Sequence, residues 1–309
     1  MSDAALATGT DACENGFESL FVSAPDGLRL HLRRYGAPAP RRLPIVCLPG
    51  LTRNGADFHE VGCAFGTAAA EPRLVVAVDA RGRGRSDFDP RPENYALAVE
   101  LGDLLAVLSA LEIGPAVFLG TSRGGVLAML LGAARPAAIS GVILNDIGPV
   151  VDAKGLMRLK GYVGKLPTPS SFSDGAEILR RLGSAQFTAM TQAQWLAQAK
   201  RTWRETEEGL ALDYDPKLAA TLAAVDIERP LPPLWAQFDS LARFPLMLIR
   251  GANSDLLSAA TVDAMRARRL DIDVLEVPDQ GHAPLLIERD VIARIAAFVT
   301  LCDVSAFGF

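Results

Sequence analysis

The chain has 309 residues, half of them hydrophobic, and 31 Lys and Arg against 36 Asp and Glu give a net charge of −5. That is enough apolar matter for one large core, or for one core carrying an inserted subdomain. The basic residues form no sustained face, which argues against nucleic-acid binding, and no apolar run approaches the length of a membrane span.

In chain order, residues 1–16 are small, polar and acidic and lack the cationic start and apolar stretch of a secretory signal. They read as a disordered tail on a soluble, cytoplasmic protein. Runs at 17–22 and 28–34, joined by Pro25-Asp26-Gly27, predict an antiparallel hairpin. Nearly continuous apolar runs then predict strands at 44–48, 74–79, 116–119, 142–145, 246–250 and 274–277. Helical patterns at 56–70, 95–111, 122–134, 259–269 and 289–301 alternate with them. The expected fold is therefore α/β, an eight-stranded and mostly parallel sheet flanked by helices.

One interval breaks the rhythm. Between the sixth and seventh strands, residues 148–234 are helical in pattern and rich in aromatics and charge, and Pro230, Pro232 and Pro233 close the segment. The expectation is a helical lid over the carboxyl ends of the strands, where open α/β sheets bind ligands. The core is then 17–147 together with 235–309. Packing preference assigns most of the lid aromatics to the lid's own core.

The segment Gly120-Thr121-Ser122-Arg123-Gly124 lies directly between the fifth strand and a helix. A serine on so sharp a turn is lifted clear of the sheet, and glycines on either side leave room for the bend. A hydroxyl needs a base, and the chain has three histidines. His31 alternates with leucines in a strand and is expected on the solvent face beside arginines; His59, near a helix start, is expected at the surface. His282, in Gln280-Gly281-His282-Ala283, follows the last strand and projects from the same edge as Ser122, which makes it the expected base. Asp255, after the seventh strand, is the expected acid partner, with Asp146 at the end of the sixth strand as the alternative. The backbone N–H groups of Leu51, after Pro49-Gly50, and of Arg123 are the expected oxyanion donors.

Cys13, Cys47, Cys63 and Cys302 are widely spaced with no C-x-x-C, so reduced thiols and no metal site are expected. Nothing in the pattern calls for a cofactor.

Serine, acid and histidine in that order resemble the α/β-hydrolase fold superfamily. So do Leu48-Pro49-Gly50, Asp79-Ala80-Arg81-Gly82-Arg83-Gly84-Arg85-Ser86 and Gly281-His282-Ala283-Pro284. Within it the chain is most similar to enol-lactonases, meta-cleavage product hydrolases and small bacterial carboxylesterases. The resemblance implies a serine hydrolase of a small carboxylic ester or lactone, working without cofactor as a monomer or homodimer. Its alternatives are a carbon-carbon bond hydrolase of a keto-acid, or a catalytically slow small-molecule-binding protein. Two departures stand out: proline precedes Gly50 where histidine is common, and Arg123 follows the serine. Arg53 and Arg123 are therefore candidates to hold a substrate carboxylate, and Trp203 and Trp235 are candidate substrate contacts.

Overall fold

The computed structural model describes residues 7–8, 16–223, 226 and 231–308. Most of the expected tail, and Pro230, lie outside the described residues. Ala7–Thr8 (β1) is an exception, pairing with Phe21 and Leu20 at the edge of the sheet.

Eight strands follow where the apolar runs place them. Glu18–Ser23 (β2) and Arg29–Tyr35 (β3) form the hairpin, and Ile45–Leu48 (β4) leads through a 3-10 turn into His59–Gly62 (α1). Next come Val75–Val78 (β5), Leu97–Ala110 (α2), Ala116–Thr121 (β6), Arg123–Ala134 (α3) and Ile139–Asn145 (β7). The strand order is β1-β2-β3-β5-β4-β6-β7 and then two late strands, with the first three pairings antiparallel and the rest parallel.

After β7 the chain leaves the sheet. It forms Ala153–Tyr162 (α4), Phe172–Gly183 (α5), Gln192–Thr202 (α6), a hairpin of Trp203–Thr206 (β8) and Gly209–Leu212 (β9), and Ala219–Ala223 (α7). It returns through Trp235–Asp239 (α8) to Leu246–Gly251 (β10), Ala259–Arg268 (α9), Asp273–Val277 (β11) and Arg289–Phe307 (α10). Strand β10 pairs with β7 on one side and β11 on the other, all parallel.

Every residue of β4 and β5 is buried, and successive side chains serve opposite faces. Val46 and Leu48 join a core with Leu104 and Val107 of α2, Leu127 and Leu131 of α3, and Met265 of α9. Ile45 and Cys47 join another with Val61 of α1 and Ile295 and Phe298 of α10. Coverage on both faces is why these strands read as unbroken apolar runs.

The insertion departs from the helical expectation through its hairpin, where Gly209, at a positive φ, follows the two-residue turn Glu207-Glu208. Side-chain oxygens of Asp152, Ser171 and Thr191 cap its three longer helices. Trp195, Ala199 and Trp203 bury a core of their own, packed by Phe172, Phe187 and Leu212. Trp203 is therefore interior, only 1% exposed, and not the ligand contact expected of it. Trp235 likewise packs on the main core, edge-on to Phe238. Among the described residues no helix is long and apolar enough to cross a membrane.

Candidate active site

The turn between β6 and α3 is fixed by contact. A β-carbon added to Gly120 would sit 2.5 Å from the carbonyl carbon of Gly124, and one on Gly124 would sit 2.0 Å from the Leu48 carbonyl oxygen. Strand and helix thus cross too closely for any side chain. Between those glycines Ser122 takes φ 51° and ψ −114°, a conformation that side chains other than glycine seldom adopt. Its N–H donates to Asn145 O at 2.9 Å, and its carbonyl accepts from Gly125 N. The hydroxyl is left to project from the sheet edge.

His282 stands on the loop after β11, its Nε2 2.8 Å from Ser122 Oγ. Its Nδ1 lies 2.8 Å from Asp146 Oδ2. An ionised carboxylate only accepts, so Nδ1 carries the proton and Nε2 is left to accept the serine O–H. Asp146 is fully buried at the end of β7. Its Oδ1 accepts from Gly251 N at 2.9 Å and its Oδ2 from Ser254 Oγ at 2.6 Å, so the charge is met on every side.

The structure corrects the expected acid. Asp255, on the neighbouring loop after β10, accepts Nε and Nη2 of Arg158 from α4 at 2.8 and 2.9 Å. Burial works to raise its pKa, but hydrogen bonds from Arg158 and Gln186 outweigh it and hold the carboxyl below the usual range. The guanidinium takes this carboxylate, and the imidazole takes Asp146.

The loop after β4 passes close to Ser122: a β-carbon on Gly50 would be 3.8 Å from the serine Cβ. Arg123 is the first residue of α3, where an N–H has no acceptor inside the helix, and the Leu51 N–H has none among the described residues. Asp79 accepts from Gly55 N at 2.6 Å, tying the far end of that loop to β5.

The Arg123 side chain does not line the cavity at Ser122. Its Nε donates to Glu100 Oε2 and its Nη2 to Tyr95 O, each at 2.7 Å. Arg53 does line the cavity, but its fork grips Asp57, at 2.7 Å from Nε, and it also donates to Thr202 and Gln198. His31 is the reverse of the surface residue expected. It is 0% exposed, with Nδ1 2.7 Å from Asp79 and Nε2 3.1 Å from Ser19, because both faces of β3 are covered. His59 is half-buried with Nδ1 3.1 Å from Tyr35 Oη.

A cavity of about 210 Å³ opens onto Ser122 and His282. Leu51 and Phe58 line it from the sheet side, and Leu159, Leu166, Phe187 and Trp195 line it from the insertion. Among the described residues no group of three or more His, Cys, Asp or Glu is gathered as a metal would require.

A model of the alpha/beta hydrolase family matches residues 45–295. The chain is 32% identical over 285 residues to a 3-hydroxybutyrate-oligomer hydrolase of Cupriavidus necator, covering 90% of this chain and 95% of that one. It is 34% identical over 243 residues to an sn-1-specific diacylglycerol lipase of Mus musculus, covering 77% and 74%. Among solved structures, an alpha/beta hydrolase from Novosphingobium aromaticivorans superposes with a TM-score of 0.83 at 38% identity, covering 92% of this chain and 98% of that one.

Proposed function

The chain belongs to the alpha/beta hydrolase family, and from that premise we propose that it hydrolyses a small carboxylic ester or lactone through an acyl-enzyme on Ser122. The observation that carries the reading is the unbroken line from Ser122 Oγ through the His282 imidazole to the buried Asp146 carboxylate, both links at 2.8 Å. His282 Nε2 takes the hydroxyl proton as Oγ adds to the ester carbonyl, and Asp146 steadies the imidazolium. The N–H groups of Leu51 and Arg123 receive the oxyanion. His282 then returns the proton to the leaving alcohol, and a water deprotonated by the same nitrogen releases the acid and restores the serine.

The cavity favours a short ester. Its volume of about 210 Å³ is below the roughly 300–1,000 Å³ of sites that hold drug-sized ligands. Its walls are mainly apolar, and the similarity to a 3-hydroxybutyrate-oligomer hydrolase points to short hydroxyacyl esters. The carbon-carbon reading relied on guanidinium groups to hold a substrate carboxylate. Arg123 is engaged by Glu100 and Arg53 by Asp57, so neither guanidinium is free for that task.

With p-nitrophenyl butyrate the protein should release a burst of nitrophenol and bind a fluorophosphonate covalently, and Ser122→Ala should lose both. Undiminished turnover in folded Ser122→Ala would overturn the reading. An unlabelled but folded wild type would favour a binding protein on the same fold.

A further inference from the structure

We propose that Glu100 is a positioning residue that fixes the two oxyanion donors relative to each other, a role that rests on the hydrolase reading above. Leu51, on the loop after β4, and Arg123, at the start of α3, are far apart in sequence, yet a single buried network ties them together. Arg83 Nε donates to the Leu51 carbonyl oxygen at 2.7 Å, and its Nη1 donates to Glu100 Oε1 at 2.7 Å. Glu100 Oε2 accepts from Arg123 Nε at 2.7 Å. One carboxylate thus holds the side chain of one donor residue directly and the backbone of the other through a single guanidinium.

The surroundings make the bridge stiff. Glu100 is 3% exposed and Arg83 0%. Arg83 Nη1 also donates to Arg81 O at 2.6 Å, and Arg81 is itself fully buried among Asp26, Asp89 and Asp103. Arg123 is anchored a second time on Tyr95 O. Two guanidiniums packed together need an anion between them, and a forked carboxylate fits that place. The unusual arginine after Ser122 thereby acquires a use: its side chain turns away from the ligand so that its N–H is held toward it.

Donors aimed at a developing oxyanion act on the transition state more than on the bound ester, so loosening the bridge should lower kcat and leave KM nearly fixed. Glu100→Gln and Arg123→Met would be compared with wild type on p-nitrophenyl butyrate, alongside inhibition by an aryl trifluoromethyl ketone, whose serine adduct places an oxyanion in the same hole. The result expected is a kcat lower by about ten- to a hundredfold with KM within about twofold. The ketone's inhibition constant should rise in step, and Arg123→Lys should recover part of the loss. Thermal unfolding separates these effects from misfolding. Should Glu100→Gln fail to fold, Arg123→Met decides alone, since it leaves the Arg83–Glu100 pair intact. A folded variant with wild-type kcat, a rise confined to KM, or a fall in kcat without weaker ketone inhibition would overturn the proposal. In each of those cases loss of activity in Ser122→Ala would leave the hydrolase reading standing.

Discussion

Asp146 and Asp255 stand after neighbouring parallel strands at the same edge of one sheet, the first directly after β7 and the second four residues after β10. Their fates differ because of what reaches them. Asp146 is met by a backbone N–H, a serine hydroxyl and an imidazole, and among the described residues no guanidinium or ammonium competes for it. Asp255 is met by the fork of an arginine from α4, and its charge is spent on holding the insertion to the core. Strand topology offers both as the acid; the partner side chains choose.

The sharpest way to break this contrast is to neutralise each carboxylate in turn. Asp146→Asn should lower kcat by about 10³–10⁴-fold, because the amide favours the wrong imidazole tautomer. Asp255→Asn should cost no more than about tenfold, since its charge is directed at Arg158. Steady-state kinetics on one ester compares them, and equal losses would end the distinction.

A second test strips Asp255 of its partner. The pair is partly exposed, with side chains at 27% and 10%, so Arg158→Leu should cost about 1–2 kcal/mol of stability in denaturant unfolding, well under the loss for a fully buried pair. The folded pKa of Asp255 is depressed, so the pair's contribution is fully present above the carboxyl's unfolded value near 4 and is lost as pH falls below it. The gap between wild type and variant should therefore close in acid.

Asp213, just after β9, extends the comparison with the opposite sign. Burial dominates there, Asp79 adds like charge, and Arg204 stands off at 3.8 Å, so the carboxyl is raised to about 6. The native state keeps this proton longer than the unfolded chain does. Its contribution is fully present below about pH 4 and is lost as pH rises through 6. Asp213→Asn keeps an acceptor for Asn54 Nδ2 and should raise the melting temperature at pH 8 by about 2 °C, with no gain at pH 4. A gain independent of pH would place the effect elsewhere.

The eight core strands were legible because covered strands leave continuous apolar runs, and Ser122 and His282 because a glycine-flanked turn and a strand-end loop are local signals. Both carboxylates were legible as candidates, but the choice between them was not, since Arg158 lies 97 residues before Asp255 and nothing local announces their meeting. Glu100 was invisible for the same reason, one acidic residue in a helix whose two arginine partners come from the loop after β5 and the start of α3. His31 misled because alternation along a strand implies a wet face only where nothing packs on it. The β8–β9 hairpin was missed because Trp203–Thr206 and Gly209–Leu212 are too short to carry a period of two against helical neighbours.

The insertion departs from β7 and comes back into β10, and those strands are hydrogen-bonded neighbours, with Val142 facing Leu246 and Asn145 facing Ile249. Whatever length of chain bulges out there, the sheet closes behind it with its register unchanged. One wall of the cavity is thus carried on a segment whose length the pairing of β7 with β10 does not dictate, while Ser122, His282 and Asp146 stand on the sheet's own strand ends and loops.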